Sequence, residues 1–259
     1  MDVFDTALAE TVEQAGELHR LLSKNLSPEG FDVPSCPESD IRRVIGHSFT
    51  RMGLSHLGEI ILLAREKAYI PCLALFRPMI EAHVRGLWLC FVAPANEVTR
   101  FLNNPAKFEF PHFRSMLKAI AETHTVLSET TLTPGEWKQL CDYTHGGVAL
   151  IQQVVLIETR SRRFALEMLE AIRKATIASG VATYFFVEQA GRKKDAKEFA
   201  AAVLRAYLNL EDAHRRLVSQ LSKVIADEER QEQFESEVES TQRKRDLRRR
   251  ERYVENPFA

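Results

Sequence analysis

The sequence contains few glycines and prolines, the residues that occupy the turns of loop-rich folds. It has only 11 glycines and 10 prolines among its 259 residues, too few for a sandwich or barrel with a turn residue at every strand end. No stretch alternates apolar and polar residues over the length of a strand. Both absences argue against a β architecture.

The chain also lacks an excess of one charge sign and a long apolar run without ionisable residues. The 35 basic and 36 acidic residues give a net charge of −1, which excludes a globally basic nucleic-acid binder. The most apolar stretch, residues 70–93, carries four ionisable side chains that a membrane span would not tolerate. The first residues lack the pattern of a signal peptide. We therefore expect a cytoplasmic protein that does not enter a membrane.

Metal and cofactor motifs are absent as well. The four cysteines form no C-x-x-C pair, and Cys72 and Cys90 lie in apolar runs typical of buried thiols in a reducing compartment. The eight histidines form neither H-x3-H nor H-E-x-x-H. We find no phosphate-binding loop, no dinucleotide fingerprint and no G-x-S-x-G elbow. The sequence therefore predicts no metal and no cofactor.

Helical periodicity dominates what is present and predicts an all-α fold, a multi-helix bundle with a long charged C-terminal helix or tail. We expect a single helical domain over residues 1–226 and a charged extension over 227–259. The second helical block is expected to break near Gly53. The predicted helices span residues 2–25, 71–93, 97–102, 112–125, 134–158, 163–189 and 193–226, together with a block that is entered at residues 35–38, with Pro37 in its first turn, and continues to about 66.

The extension carries two blocks of opposite charge. Residues 227–239 hold seven acids and one base, net −6, and residues 243–252 hold seven bases and two acids, net +5. Such a composition is typical of a solvated or frayed helix. The alternatives are a basic arm over 243–252 that binds RNA phosphates, or pairing of the blocks between two chains, and we expect a homo-oligomer.

A charged stripe runs along the apolar helix predicted for residues 71–93. Arg77, Glu81 and Arg85 follow one another at intervals of four residues, and Trp88 lies on the same face. Buried charges must be paired, and this set leaves one positive charge in excess. The surplus suits an anion or a carboxylate from another helix, although an internal salt-bridge network that aligns helices is the alternative. Pro78 predicts a kink in the same helix.

A second candidate segment is Asp142-Tyr143-Thr144-His145-Gly146-Gly147. Paired glycines inside a helix cost about 2 kcal/mol relative to alanine, and close approach by a backbone or a ligand is the usual compensation. Asp142 lies three residues before His145 and is able to orient its imidazole. A purely structural histidine is the alternative.

Taken together, the two segments resemble a group of uncharacterised bacterial helical proteins that pair an R-P-x-x-E-A helix with an H-G-G helix. Residues 77–82 carry the first motif and residues 145–147 the second, within a resemblance over about residues 40–190. It implies a shared fold and a shared site.

A looser resemblance connects Arg77 and His83, as R-x5-H, to the R-x4-6-H signature of the HEPN superfamily of helical proteins, which includes metal-independent ribonucleases of toxin and phage-defence systems. It implies that His83 acts as general base or acid towards a ribose hydroxyl, and that Arg77 stabilises the transition-state charge. This chain has Pro78 where that family favours a polar residue after the arginine.

Two functional hypotheses follow. In the first, a helical binding or regulatory protein holds a small anionic ligand or a protein partner in a polar pocket. The pocket lies between the kinked helix 71–93 and the helix 134–158, and its predicted lining is Arg77, Glu81, Arg85, Trp88, Asp142, Tyr143 and His145. In the second, a ribonuclease uses Arg77 and His83 as its catalytic pair. His145 of the His-Gly-Gly segment is a separate candidate catalytic residue. Whether the protein is an enzyme stays open at this point.

Overall fold

A computed structural model describes residues 3–26, 38–123, 162–189 and 199–205, together with isolated helical positions between 138 and 144 and between 208 and 240. Within these residues every regular element is a helix. The all-α prediction is therefore confirmed. The chain divides into two compact units, Met1–His214 and Arg215–Ala259.

Six α-helices are described in the first unit. Two shorter elements lie between them, a π-helical turn over Trp88–Val92 and a 3-10 turn over Pro105–Lys107. The α-helices are α1 (Val3–Asn25), α2 (Glu38–Arg65), α3 (Tyr69–Leu87), α4 (Ala95–Asn103), α5 (Phe113–Thr123) and α6 (Arg162–Gln189). Residues 199–205 are also helical.

Two details of the helix predictions were wrong. The break expected near Gly53 does not occur, because α2 continues through this position to Arg65. The helix predicted for residues 71–93 begins two residues earlier, so that Pro71 lies in its first turn, where a missing N–H costs nothing. The α-helical part of this element ends at Leu87, and the chain continues as the π-helical turn.

Helices α2 and α3 form an antiparallel pair around which the core is built. Cys72, near the start of α3, donates from its thiol to the carbonyl of Ile60 near the end of α2. Gly86, at the other end of α3, lies against Gly46 near the start of α2. Helix α6 contacts α1, α2 and α3. The buried apolar side chains of these helices include Leu18, Leu57, Phe76, Met79, Met168 and Leu169.

Glycines set the close approach of α3 to α2. A Cβ added at Gly86 would lie 3.0 Å from the backbone oxygen of Gly46 and 2.8 Å from Cβ of Phe49. A Cβ added at Gly53 would lie 2.5 Å from the ring of His83. Both positions therefore need glycine for packing, which explains why Gly53 lies inside a continuous helix instead of ending it.

The second unit is described at isolated positions from 215 to 240. These positions are helical, and most of their side chains are exposed. Arg230 pairs with Asp227 at 3.1 Å on this helix. The basic block 243–252 lies outside the described residues.

Candidate functional site

Helix α3 brings the charged stripe (Arg77, Glu81 and Arg85) together as predicted from the four-residue spacing. Arg77 Nε donates to Glu81 Oε1 at 2.7 Å, and Arg85 Nη2 donates to Glu81 Oε2 at 2.7 Å. The side chains are 23%, 15% and 36% exposed, in chain order. Glu81 is thus the most enclosed member and is held on both of its oxygens.

The stripe faces away from the centre of the bundle. Met79 and His83 both contact Ser179 of α6, so their side of α3 is the interior side. At 100° per residue, Glu81 lies about 160° around the helix from either of them. The charges therefore occupy the outer side of α3, where they are partly shielded but within reach of solvent.

Arg85 is the member whose hydrogen bonding is incomplete. Its guanidinium carbon lies 4.8 Å from the ring centre of Phe110, so the ring covers the cation. Its Nε is buried and has no hydrogen-bond partner among the residues that the structure describes. A buried, charged donor without an acceptor is costly, and such a group favours the arrival of an acceptor from a ligand.

Phe110 belongs to an aromatic cluster at this end of the bundle (Phe49, Trp88, Phe101, Phe108 and Phe110). Its ring centre lies 5.0 Å from that of Phe108, 5.8 Å from Phe101 and 6.0 Å from Phe49. Trp88, predicted as a lining residue, is buried and meets Phe110 edge-on at 6.3 Å. The cluster joins α2, the π-helical turn, α4 and the segment before α5.

The π-helical turn begins directly after the stripe, at Trp88. Its wider hydrogen bond runs from Ala93 N–H to the carbonyl of Trp88 at 2.8 Å. Arg42 of α2 donates to the carbonyl of Ala93 at 2.7 Å, which places a cation at the C-terminal end of the helix. Such turns are frequent at functional sites.

His83 lies in the interior and points away from the stripe. Its Nε2 forms a hydrogen bond with the hydroxyl of Ser179 at 2.9 Å, and the same hydroxyl lies 3.9 Å from Met79 Sδ. Burial, with a smaller contribution from nearby His56, lowers the pKa of His83 to about 3. Arg77 and His83 thus have different partners on different sides of α3.

The predicted residues of the His-Gly-Gly segment lie outside the described residues. This holds for Asp142, Tyr143 and His145. Their neighbour Thr144 is helical, and its hydroxyl donates to the carbonyl of Leu140 at 3.0 Å. Convergence of this segment with the charged stripe stays a prediction.

Neither metal-ligand clusters nor reactive thiols stand out in the described part of the chain. No group of three His, Cys, Asp or Glu side chains suited to a metal occurs there. Burial raises the pKa of both Cys72 and Cys90 to about 12, although Arg43 and Arg42 oppose the rise at Cys90. These two thiols are therefore neutral and unreactive at neutral pH.

A second arginine–glutamate group is a comparison in which the guanidinium nitrogens all have hydrogen-bond acceptors. Arg173 of α6 donates from Nε and Nη2 to the two oxygens of Glu170, at 2.9 and 2.8 Å. Its Nη1 donates to Glu211 at 2.8 Å. Each nitrogen of this guanidinium has a carboxylate acceptor, in contrast to Arg85.

Several residues at the site could not be predicted from the sequence. Phe110 lies 25 residues beyond Arg85, in a segment without helical periodicity. The alternating Phe108-Glu109-Phe110 was the one available sign of a segment with an apolar side. Ser179, the partner of His83, is 96 residues away along the chain, and pattern analysis of a single sequence does not pair such positions.

The fold and the stripe define an all-helical bundle protein with an arginine–glutamate–arginine group on the outer side of its third helix. The chain belongs to the family of unknown function DUF6988, whose model matches residues 50–209, more than half of its length. That range includes the charged stripe, the aromatic cluster apart from Phe49, and the His-Gly-Gly segment. No curated protein and no solved structure matches the chain. In the described residues, no helix is both long enough and apolar enough to span a membrane.

Proposed function

We propose that this chain is a helical binding or regulatory protein and that its charged stripe takes the anionic group, a carboxylate or a phosphate, of a small ligand or a partner segment. The observation that carries the proposal is the incomplete hydrogen bonding of the Arg85 guanidinium. Its Nη2 is held by Glu81 while its Nε is buried and without an acceptor among the described residues.

The charge balance supports an anion over a cation. Glu81 accepts from Arg77 on one oxygen and from Arg85 on the other, so its carboxylate is already engaged by two cations. A further acceptor at Arg85 would form a charge-assisted hydrogen bond, which is stronger than a neutral one. Partial enclosure by the Phe110 ring lowers the local dielectric and strengthens that bond.

The lining predicted from the helix 134–158 completes the proposal. Asp142, Tyr143 and His145 would supply the polar side opposite the stripe. A protonated or hydrogen-bonding imidazole beside a bound anion is a common arrangement. Homo-oligomerisation and RNA binding by the basic tail at 243–252 remain predictions from the sequence.

The test is the dependence of thermal stability on inorganic phosphate, and in a parallel series on acetate, at constant ionic strength. A ligand that binds the folded state raises the unfolding midpoint with its concentration. We expect a rise in the unchanged protein that falls, in Arg85→Gln, to the general stabilisation that phosphate gives to any folded protein. An equal rise in both proteins, or no rise with either anion, would overturn the proposal.

The matched control is Arg100→Gln. Arg100 also pairs with a glutamate on its own helix, Glu97 at 2.8 Å, and its guanidinium lies 5.7 Å from the ring of Phe108 in the same cluster. It is 63% exposed, however, and solvent reaches it freely. This variant keeps the anion effect, including the general stabilisation that phosphate gives to any folded protein.

The ribonuclease hypothesis stays a prediction with its own experiment. The imidazole of His83 is buried against Ser179, so it would have to leave this partner to reach a ribose hydroxyl. The hypothesis expects growth arrest on expression that His83→Ala relieves and His145→Ala does not. Equal growth of cells expressing the unchanged protein and His83→Ala would count against it.

A further inference from the structure

We infer that Phe110 is a positioning residue for the anion site, fixing the guanidinium of Arg85 through its ring; the inference rests on the proposed function. Two contacts define how Arg85 lies. Glu81 holds one edge at 2.7 Å, and the Phe110 ring covers the cation at 4.8 Å. A carboxylate on one edge and a ring on one face together fix both the position and the plane of a guanidinium.

Phe110 is itself held in place by other rings. It contacts Phe49 from α2, Phe101 from α4 and Trp88 from the π-helical turn, and each contact is tilted or edge-on, as aromatic pairs prefer. Because three separate elements grip the ring, it has little freedom to turn away from Arg85. The packing of α2 and α4 therefore helps to determine how the Phe110 ring orients the guanidinium of Arg85.

The ring also removes water from the cation that it orients. Arg85 remains 36% exposed, yet its Nε is buried. A desolvated guanidinium binds an incoming oxygen more strongly than a hydrated one. Without the ring, the side chain would sample other rotamers and Nε would be hydrated. An anion would then have to order the side chain and displace that water, which weakens binding.

The chain offers a close control in Phe108. Its ring belongs to the same cluster and lies on the same segment, two residues before Phe110. Its cation contact is with the exposed Arg100, at 5.7 Å. Replacing Phe108 by leucine removes ring contacts with Phe101 and Phe110 but leaves the Phe110 ring over Arg85, whereas replacing Phe110 removes that ring itself.

The experiment measures phosphate affinity and the NMR signal of the Arg85 Nε–H group in Phe110→Leu, Phe108→Leu and Phe110→Tyr. We expect Phe110→Leu to weaken phosphate binding about tenfold, the order of a partly desolvated cation–π contact. The Nε–H signal should also lose its ring-current shift and its protection from solvent exchange. Phe108→Leu removes a neighbour of Phe110 but leaves the Phe110 ring over Arg85, so it should change both much less. Phe110→Tyr, which keeps the ring, should retain both.

Failures of the two proposals are separable. If phosphate binds, requires Arg85 and binds equally well to Phe110→Leu, the positioning role is wrong and the binding function stands. If phosphate does not bind the unchanged protein, the binding function is wrong, and the Nε–H signal alone decides whether Phe110 fixes Arg85. An Nε–H signal that Phe108→Leu and Phe110→Leu change alike would overturn the positioning role in either case.

Discussion

At the scale of single residues, the most informative contrast lies between the two sides of α3. The inner side carries a neutral, buried histidine bonded to Ser179, and the outer side carries Glu81 between two arginines. The four-residue spacing predicted both ion pairs, because such neighbours meet on any α-helix. It did not predict that Arg85 would leave Nε unpartnered among the described residues, since that depends on Phe110 and on burial.

Arg77→Ala tests how strongly the stripe contributes to stability. Glu81, only 15% exposed, would lose one of its two arginine partners and keep Arg85. Removing one partner of a fully buried pair costs about 3–5 kcal/mol, and exposed pairs contribute about 0–1. We therefore expect a loss of about 1–2 kcal/mol for this partly shielded pair, measured by urea unfolding. An unchanged unfolding midpoint would show that the stripe contributes nothing to stability.

His83 makes folding stability depend on pH. Its pKa is lowered by burial to about 3 in the folded protein and is near its ordinary 6.5 when unfolded. Between these values the unfolded chain binds a proton that the folded protein excludes, so stability falls as the pH falls below about 6.5. Above that pH the contribution is fully present. The slope for one proton is about 1.4 kcal/mol per pH unit.

The measurement is the urea midpoint from about pH 7 to about pH 5. We expect His83→Gln, which keeps a hydrogen-bonding side chain but does not titrate, to flatten the dependence. His19 and His47 also have pKa values lowered by burial, so part of the slope remains. His112→Gln, at an exposed position, should keep the full slope. Identical slopes in all three proteins would contradict this role of His83.

At the scale of helices, the role of glycine was the hardest feature to predict from the sequence. Gly53 looked like a helix break because glycine is a poor helix former. In the structure it lies within α2 and provides the space that the ring of His83 fills. The bounds of α1, α4 and α6 agree with those predicted from apolar periodicity to within two residues. Periodicity reports which side of a helix is apolar, whereas contact between two helices depends on side-chain shape at positions distant in sequence.

Gly53→Ala is expected to destabilise the protein by about 1–3 kcal/mol, the usual cost of overpacking a core. The added Cβ would lie 2.5 Å from the His83 ring, and His83 is only 3% exposed. In a His83→Ala background the same change should cost much less, because the clashing ring is gone. A double-mutant cycle by urea unfolding measures this coupling.

Gly180→Ala is the control for that cycle. A Cβ at this position of α6 would meet Val203 Cγ1 at 3.5 Å, an ordinary contact. Alanine is also the better helix former by about 1 kcal/mol, so this variant should be neutral or more stable. If Gly53→Ala were equally neutral, the close approach of α2 and α3 would not depend on glycine there.

At the scale of the whole molecule, the all-α architecture followed from composition and periodicity, and the site followed only in part. The charges of the stripe lie on one helix, so a single periodic pattern contains them. The aromatic cluster draws on four separate stretches, and its members meet only after folding. What is local in sequence was therefore predictable, and what arises from tertiary contact was not.

The charged extension is expected to contribute little to the stability of the rest of the chain. The described positions of its acidic block, at 227, 230, 233 and 236, are exposed, and the extension has few apolar residues to bury. We expect the chain truncated after residue 226 to unfold at nearly the same urea concentration as the full chain, within about 0.5 kcal/mol. Truncation after residue 198 should instead destabilise it markedly, because Phe199 is buried and Glu211 completes the network of Arg173. If the shorter deletion alone lowered the midpoint substantially, the extension would be part of the folded core, and the boundary predicted at 226/227 would be wrong.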